Sequence, residues 1–311
     1  MRKPLVLALV AVLALTATPS YAWGTAAHRY IMRRAIDLLP PAIKPFFDAH
    51  RDELILRVVD PDLWRTAGWE DDKNHFVDFG VKEYGAYPFG ALPREYGAAI
   101  EKFGTATIHE NGTLPWRFAE EFGNLRRAFE AAGRRGEFSG GNVVYFSAIA
   151  AHYIQDATQP LHATYDYDGR EHGQDGLHSR FETALFERYE RQLTIVPPSV
   201  KPVTNARDLA FDTLLDSYKD VDRVLAADKE AVAGKDEYDD DYFDTFFAKM
   251  KPILEQRLAT AISNTAGLMV GAWEAAGKPD VNQSGARRRP QKVKKGDARN
   301  MPPAAPAPRG R

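Results

Sequence analysis

The chain of 311 residues contains no cysteine. That excludes disulfides, thiolate metal ligands and a lipid-modified cysteine, and it makes the redox compartment unreadable from cysteine usage. Long apolar runs are scarce as well. The one clear case, Leu5 to Thr16, follows Arg2 and Lys3 and precedes Thr18-Pro19-Ser20-Tyr21-Ala22. It is too short to span a bilayer comfortably. A basic start, a short apolar run and a small-x-small ending form a secretory signal, expected to be cut after Ala22. No other stretch is apolar enough to cross a membrane. The mature chain is therefore expected to be exported, periplasmic or secreted, monomeric and without a transmembrane segment. Three further absences narrow the chemistry. There is no sustained period-2 pattern or hairpin signature, no glycine-rich phosphate loop and no Gly-x-Ser-x-Gly elbow. No internal repeat is evident.

What is present is helical periodicity. Apolar residues recur at helical spacing over Trp23 to Leu39, stopped by Pro40-Pro41, and over Ala42 to His50 and Glu53 to Val59. The segment Asp60 to Asp78 reads as a loop, as does the Gly/Pro/Tyr-rich stretch from Gly80 to Gly97. Helical spacing returns over Pro115 to Ala132, ended by Gly133. Asn142 is placed to cap a helix over Val143 to Ala157, whose apolar run predicts burial nearly all round. Further helices are expected from Phe181 to Glu190, Ala206 to Ala227 and Tyr242 to Ala276, the last kinked or restarted at Pro252. The expected class is all-α, with seven to nine helices in one domain.

Charge divides the chain. From Gly277 onward 10 Lys+Arg face 2 Asp+Glu, and the segment ends in Pro and Ala. That composition predicts a disordered basic tail over 277–311. The whole chain is −2, so residues 23–276 carry −12. An acidic body argues mildly against tight binding of a polyanion. The run Asp236-Glu-Tyr-Asp-Asp-Asp-Tyr242 lacks calcium-loop spacing and reads as a solvated helix approach. Asn111-Gly-Thr113 reads as a turn.

The chemistry concentrates between His152 and Glu182. His152 and Asp156 are four apart, as are His178 and Glu182, so each pair faces one side of a helix. His162 lies between them, past Pro160, where the first helix should end. A single His-x-x-x-Asp is ordinary surface decoration. Two such pairs with a third histidine between them, in a chain of only 8 His, form a metal-ligand pattern. Imidazole and carboxylate without thiolate suit Zn2+. Asp62 and His75 flank the long loop, with Asp60 at a comparable distance. His28 lies five positions after Trp23, whose amine and carbonyl would form a chelating pair once the signal is removed. His50, His109 and His172 have no evident partners.

These elements resemble the three-zinc phosphodiesterases, the family of zinc-dependent bacterial phospholipase C and the fungal and plant single-strand-specific nucleases. The matching residues are Trp23-Gly-Thr-Ala-Ala-His28, Pro61-Asp62, His75-Phe76, His152-x3-Asp156-x2-Gln159-Pro160-Leu161-His162 and His178-Ser-Arg-Phe-Glu182. The resemblance implies a multi-helix bundle around a trinuclear zinc cleft. It assigns Asp62, His75, His152 and Asp156 to one ion and His162, His178 and Glu182 to a second. Trp23, His28 and a bridging Asp156 would hold the third. It implies hydrolysis of a phosphodiester by zinc-activated water, with Asp62 orienting or deprotonating that water. Glu182 looks more like the phospholipase branch, where nucleases typically have Asp. The Trp-Gly-x3-His start looks more like the nuclease branch, yet the paired cysteines common in eukaryotic nucleases are missing. With the acidic body, the balance favours a phospholipid head group over single-stranded nucleic acid. The alternatives are a single-strand nuclease or 3'-nucleotidase of the same fold, and a zinc-stabilised helical protein without turnover. The last would need a lost ligand, and none is missing. Phe76 would stack a base, line an acyl-glycerol cleft or pack in the core. Asp78 and Tyr153 are the candidates for orienting the ligand histidines.

Overall fold

The computed structural model describes residues 23–133 and 139–282. Among these residues all the regular structure is helical, with no strand. The expected signal at 1–22 and the tail beyond residue 282 lie outside them. The body extends past Gly277: Val281 is buried, and Asn282 donates to the Ala42 carbonyl.

Helix α1 (Thr25–Asp37) buries Ala27, His28, Ile31, Met32, Ala35 and Ile36, a stripe at three- and four-residue spacing. Short helices α2 (Lys44–Ala49), α3 (Arg51–Arg57) and α4 (Asp60–Thr66) follow. The segment expected as a loop from Asp60 thus begins as a helix. It continues from α3 almost without a break, because Leu63 N–H still bonds to Val59 O. Two more short helices, α5 (Tyr96–Phe103) and α6 (Thr105–Glu110), precede α7 (Leu114–Gly133). Proline at the second position of α7 has no N–H to orphan there.

Helix α8 (Ser139–Asp156) is the axis of the fold. It starts before Asn142, which is therefore inside the helix and not its cap. Alanines at 148, 150 and 151 let neighbours approach closely, and α1, α3, α7 and α13 pack around it. After Asp156 the chain turns through Pro160–Ala163 and a glycine-rich loop. It re-enters helix at α9 (Leu177–Ser179), widens to a π-helical turn (Arg180–Ala184) and continues as α10 (Leu185–Tyr189).

The stretch expected as one helix over Ala206 to Ala227 is two, α11 (Ala206–Tyr218) and α12 (Val221–Ala231). The break at Asp220 lets that carboxylate take a forked pair of bonds from buried Arg257, 2.9 and 2.7 Å, while Asp216 binds the same guanidinium at 2.7 Å. Arg257 belongs to α13 (Asp240–Ala275), which runs unbroken through Pro252. Asp239 caps it by accepting from Tyr242 N–H, so the acidic run is indeed a helix approach. An extended strap over residues 193–205 crosses α13 at Gly267 and Gly271. There Val203 N–H donates 3.0 Å to Gly267 O. A Cβ at Gly267 would lie 2.4 Å from Lys201 O, and one at Gly271 2.2 Å from Val203 O.

Candidate metal centre

Among the described residues, three groups of buried side chains, each with ligand atoms within 4.8 Å of one another, lie around the C-terminal end of α8. They are His28, His152 and Asp156; Asp62, His75 and His152; and His162, His178 and Glu182. Each can hold a metal ion. The structure thus brings together eight of the nine expected ligands. His152 belongs to two groups, whereas the resemblance assigned it to one.

Asp156 stands between the first two groups. Its Oδ1 lies 3.2 Å from His28 Nε2, and its Oδ2 lies 3.0 Å from His75 Nδ1 and 3.2 Å from His152 Nε2. Of the two candidate aspartates on α4, Asp62 faces the site. It is 3.8 Å from His75 Nδ1 and 3.7 Å from His152 Nε2, and both its oxygens are buried without a hydrogen bond. Asp60 instead pairs with Arg57 at 3.4 Å and is partly exposed.

Each histidine has one ring nitrogen occupied by an acceptor, which fixes where its proton sits. His152 Nδ1 donates to Val58 O (2.8 Å), His162 Nδ1 to His75 O (2.7 Å) and His178 Nδ1 to Tyr167 O (3.3 Å). His28 Nδ1 donates to Gln155 Oε1 (2.6 Å), and His75 Nε2 to Asp71 Oδ2 (3.0 Å). In the neutral rings, five lone pairs therefore point inward, toward carboxylates and toward one another. His152 Nε2 and His75 Nδ1 are 3.0 Å apart, and His162 Nε2 and His178 Nε2 are 3.2 Å apart. The His28 and His152 rings are stacked, 4.3 Å between centroids. Lone pairs and carboxylates converging in a dry interior demand positive charge. Asp156 adds to this demand by standing at the negative end of the α8 dipole.

The charge balance of the bare site points the same way. Burial opposes protonation of His75, yet Asp156 and Asp71 outweigh it and push its pKa up to about 10. His28 and His178 are raised too: burial works against it, but Asp156 and Glu182 respectively prevail. Burial would raise the carboxylates, but the histidines hold Asp156 well below its ordinary range and Glu182 at about 2. Either protons or metal cations must supply the charge, and the unpartnered buried oxygens of Asp62 and Asp156 fit a metal.

Trp23 is placed beside this centre by its side chain. Its Nε1 donates 3.0 Å to Thr158 Oγ1, and its ring lies against Phe181. Those contacts hold it between the end of α8 and the turn that carries Glu182. Gly24 is pressed on the same turn, since a Cβ there would sit 2.5 Å from Thr183 Oγ1.

Of the expected orienting residues, Tyr153 acts at one remove: its hydroxyl donates 2.9 Å to the Asp71 oxygen that holds His75. Asp78 takes no part. Its backbone N–H bonds to Asn111 O, and burial pushes its carboxyl up to about 7. Three orienting residues were not anticipated: Asp71, Gln155 and Gln159, whose Nε2 donates 3.0 Å to Glu182 Oε2. Asp71 lies four residues before His75, but in a segment that reads as a loop that spacing carries no signal. Phe76 is half-buried, with its backbone and ring packed on Gly112, which favours the packing reading. His172 has a partner after all, Asp166 at 2.7 Å. A cavity of about 520 Å3 is lined by Asn74, Tyr96, His109, Trp116, Arg117 and Arg207 among others. None of the metal-capable groups lines it.

No protein-family model matches the chain, and no curated protein sequence matches it either.

Proposed function

We propose that the chain is an exported zinc-dependent phosphodiesterase that hydrolyses a P–O ester bond, with a phospholipid head group as the preferred substrate. The observation that supports this most is the set of five inward imidazole lone pairs, each fixed by a bond on the opposite ring nitrogen, gathered around Asp156, Asp62 and Glu182. In this reading Asp62, His75, His152 and Asp156 hold one Zn2+, and His162, His178 and Glu182 hold a second. Trp23 (through its amine and carbonyl after removal of residues 1–22), His28 and Asp156 hold the third. Bound zinc would supply an acidified water and positive charge for the phosphate oxygens.

The chain's own residues do the rest. Asp62, with neither oxygen committed to a hydrogen bond, is the group that orients the attacking water and accepts its proton at Oδ1 or Oδ2. Asp71, Gln155 and the three backbone carbonyls hold the rings at a fixed angle. No side chain is needed as a covalent nucleophile. Leu63, Trp69, Tyr165 and Tyr167 are exposed apolar groups on the segments that carry Asp62, His75, His162 and His178. They suit a substrate with an apolar portion, and the net charge of −12 over residues 23–276 disfavours a polyanion. No helix among the described residues is long and apolar enough to cross a membrane.

The second reading, a single-strand nuclease, rests on the same aromatic side chains acting as stacking platforms. Purified protein assayed on a phosphatidylcholine emulsion and on single-stranded DNA, with and without chelator, tests both. Lipid cleavage silenced by the chelator and restored by Zn2+ is the expected result. Cleavage of DNA alone would replace the substrate but keep the chemistry. Chelator-resistant cleavage, or no phosphodiester cleavage by zinc-loaded protein, would reject the proposal.

A further inference from the structure

His178 stands in α9, and Glu182 stands in the π-helical turn that joins α9 to α10. A π turn holds one residue more than an α turn, so relaxing it to α geometry would rotate Glu182 about the helix axis relative to His178. The side of this turn away from the ligands is also held. Arg180, two residues from each ligand, points the other way and is held from every quarter. Its Nη1 donates 2.6 Å to Asp175 O and its Nη2 donates 3.1 Å to Gln174 O, both in the loop just before α9. Its Nε and Nη2 donate as a fork to Asp228 Oδ1 and Oδ2, both at 3.1 Å. Asp228 stands on α12 and is fully buried; Arg180 is 8% exposed. The carboxylate also accepts from Gln174 Nε2 (2.6 Å) and from the Tyr242 hydroxyl on α13. The guanidinium lies 4.0 Å from the Tyr238 ring centroid.

We infer that the Arg180–Asp228 pair is a positioning device for the His162/His178/Glu182 metal group, fixing His178 and Glu182 from behind by tying their turn to α12 and α13. The inference rests on the reading of these residues as metal ligands. The fork suits Arg in particular, since Lys offers no planar pair of donors. Neutralising Asp228 leaves the guanidinium buried without its counter-charge, so the turn must shift to rehydrate it.

The test measures zinc binding by the full mature chain in competition with a chromophoric chelator, for wild type, Asp228→Asn, Arg180→Lys and Asp220→Asn. Asp220→Asn breaks the other buried pair, with Arg257, whose hydrogen bonds go to Asp216, Ser217 and Asp220 and to no candidate ligand. Asp228→Asn is expected to weaken one of the zinc equivalents by ~10- to 100-fold, the usual effect of losing an orienting partner. The remaining equivalents should hold. Arg180→Lys, which keeps the charge and loses the fork, should fall between. Asp220→Asn should lower the melting temperature of the metal-free protein without selective loss of any equivalent. A merely structural role for the pair predicts that Asp228→Asn and Asp220→Asn behave alike. That result, or wild-type affinity for every equivalent in Asp228→Asn, would overturn the inference while leaving the metal centre standing. If Asp228→Asn fails to fold, Arg180→Lys with wild-type zinc affinities does the same. A wild-type protein that takes up no zinc would overturn the metal reading, and this inference with it.

Discussion

At the scale of single residues the site is organised by which atom each group leaves free. A carbonyl can only accept, so Val58 O, His75 O and Tyr167 O force the proton onto one nitrogen and expose the other. The ligand types were legible in the sequence because i and i+4 spacing is visible there. The orienting carbonyls were not, because a backbone oxygen has no sequence signature. Asp71 was missed because its segment was read as a loop, where four-residue spacing carries no meaning. Asp156 is the residue on which most depends. Its two oxygens address two groups, whereas Glu182 serves one. Asp156→Ala should therefore lose more zinc by elemental analysis than Glu182→Ala, and both should melt lower when zinc is present, since an ion bound only by the folded state adds to its stability. Greater loss in Glu182→Ala would remove Asp156 from its bridging role.

Elements were legible where periodicity was long and illegible where tertiary contacts decide. Helices α1 and α7 follow apolar stripes, and α8 and α13 follow long apolar runs, that any window exposes. Helix α4 is a short continuation of α3, and the α11/α12 break exists so that Asp220 can reach Arg257 from another element. Pro252 does not end α13, whose packing on α1, α7, α8 and α12 carries the helix past the missing hydrogen bond. The same helix carries a second non-local constraint. Gly267 and Gly271 look like weak helix formers, and their reason is the strap that crosses them. Gly271→Ala would thrust a methyl to 2.2 Å from Val203 O and 2.5 Å from Val203 N. The intrinsic gain of alanine in a helix is under about 1 kcal/mol, while displacing packed backbone costs about 1–3 kcal/mol. Net destabilisation in a urea melt is expected, with zinc content unchanged, because the strap carries no ligand. An equal or more stable variant would mean the strap is loosely held.

The molecule as a whole balances an acidic body against a site that needs cations, and pH should expose the balance. In the metal-free protein the raised His75 favours folding. That stability is fully present below the ordinary value of 6.5 and is lost as pH rises toward about 10. The depressed Glu182 contributes stability present above its ordinary value of 4.5 and lost as pH falls toward about 2. Metal-free protein should therefore be most stable between pH 4.5 and 6.5 and weaken on the alkaline side. Zinc is expected to reverse the alkaline limb. It binds only neutral imidazole, so it must displace the protons that the bare site holds, and its stabilisation fades as pH falls below about 10, where His75 takes up its proton. Thermal melts from pH 4 to 10 should then show a zinc-dependent rise in melting temperature that is large at pH 8 and small at pH 5. Excess zinc should carry its acid limit to lower pH by mass action. Parallel curves with and without zinc would show that protons and metal do not share these ligands.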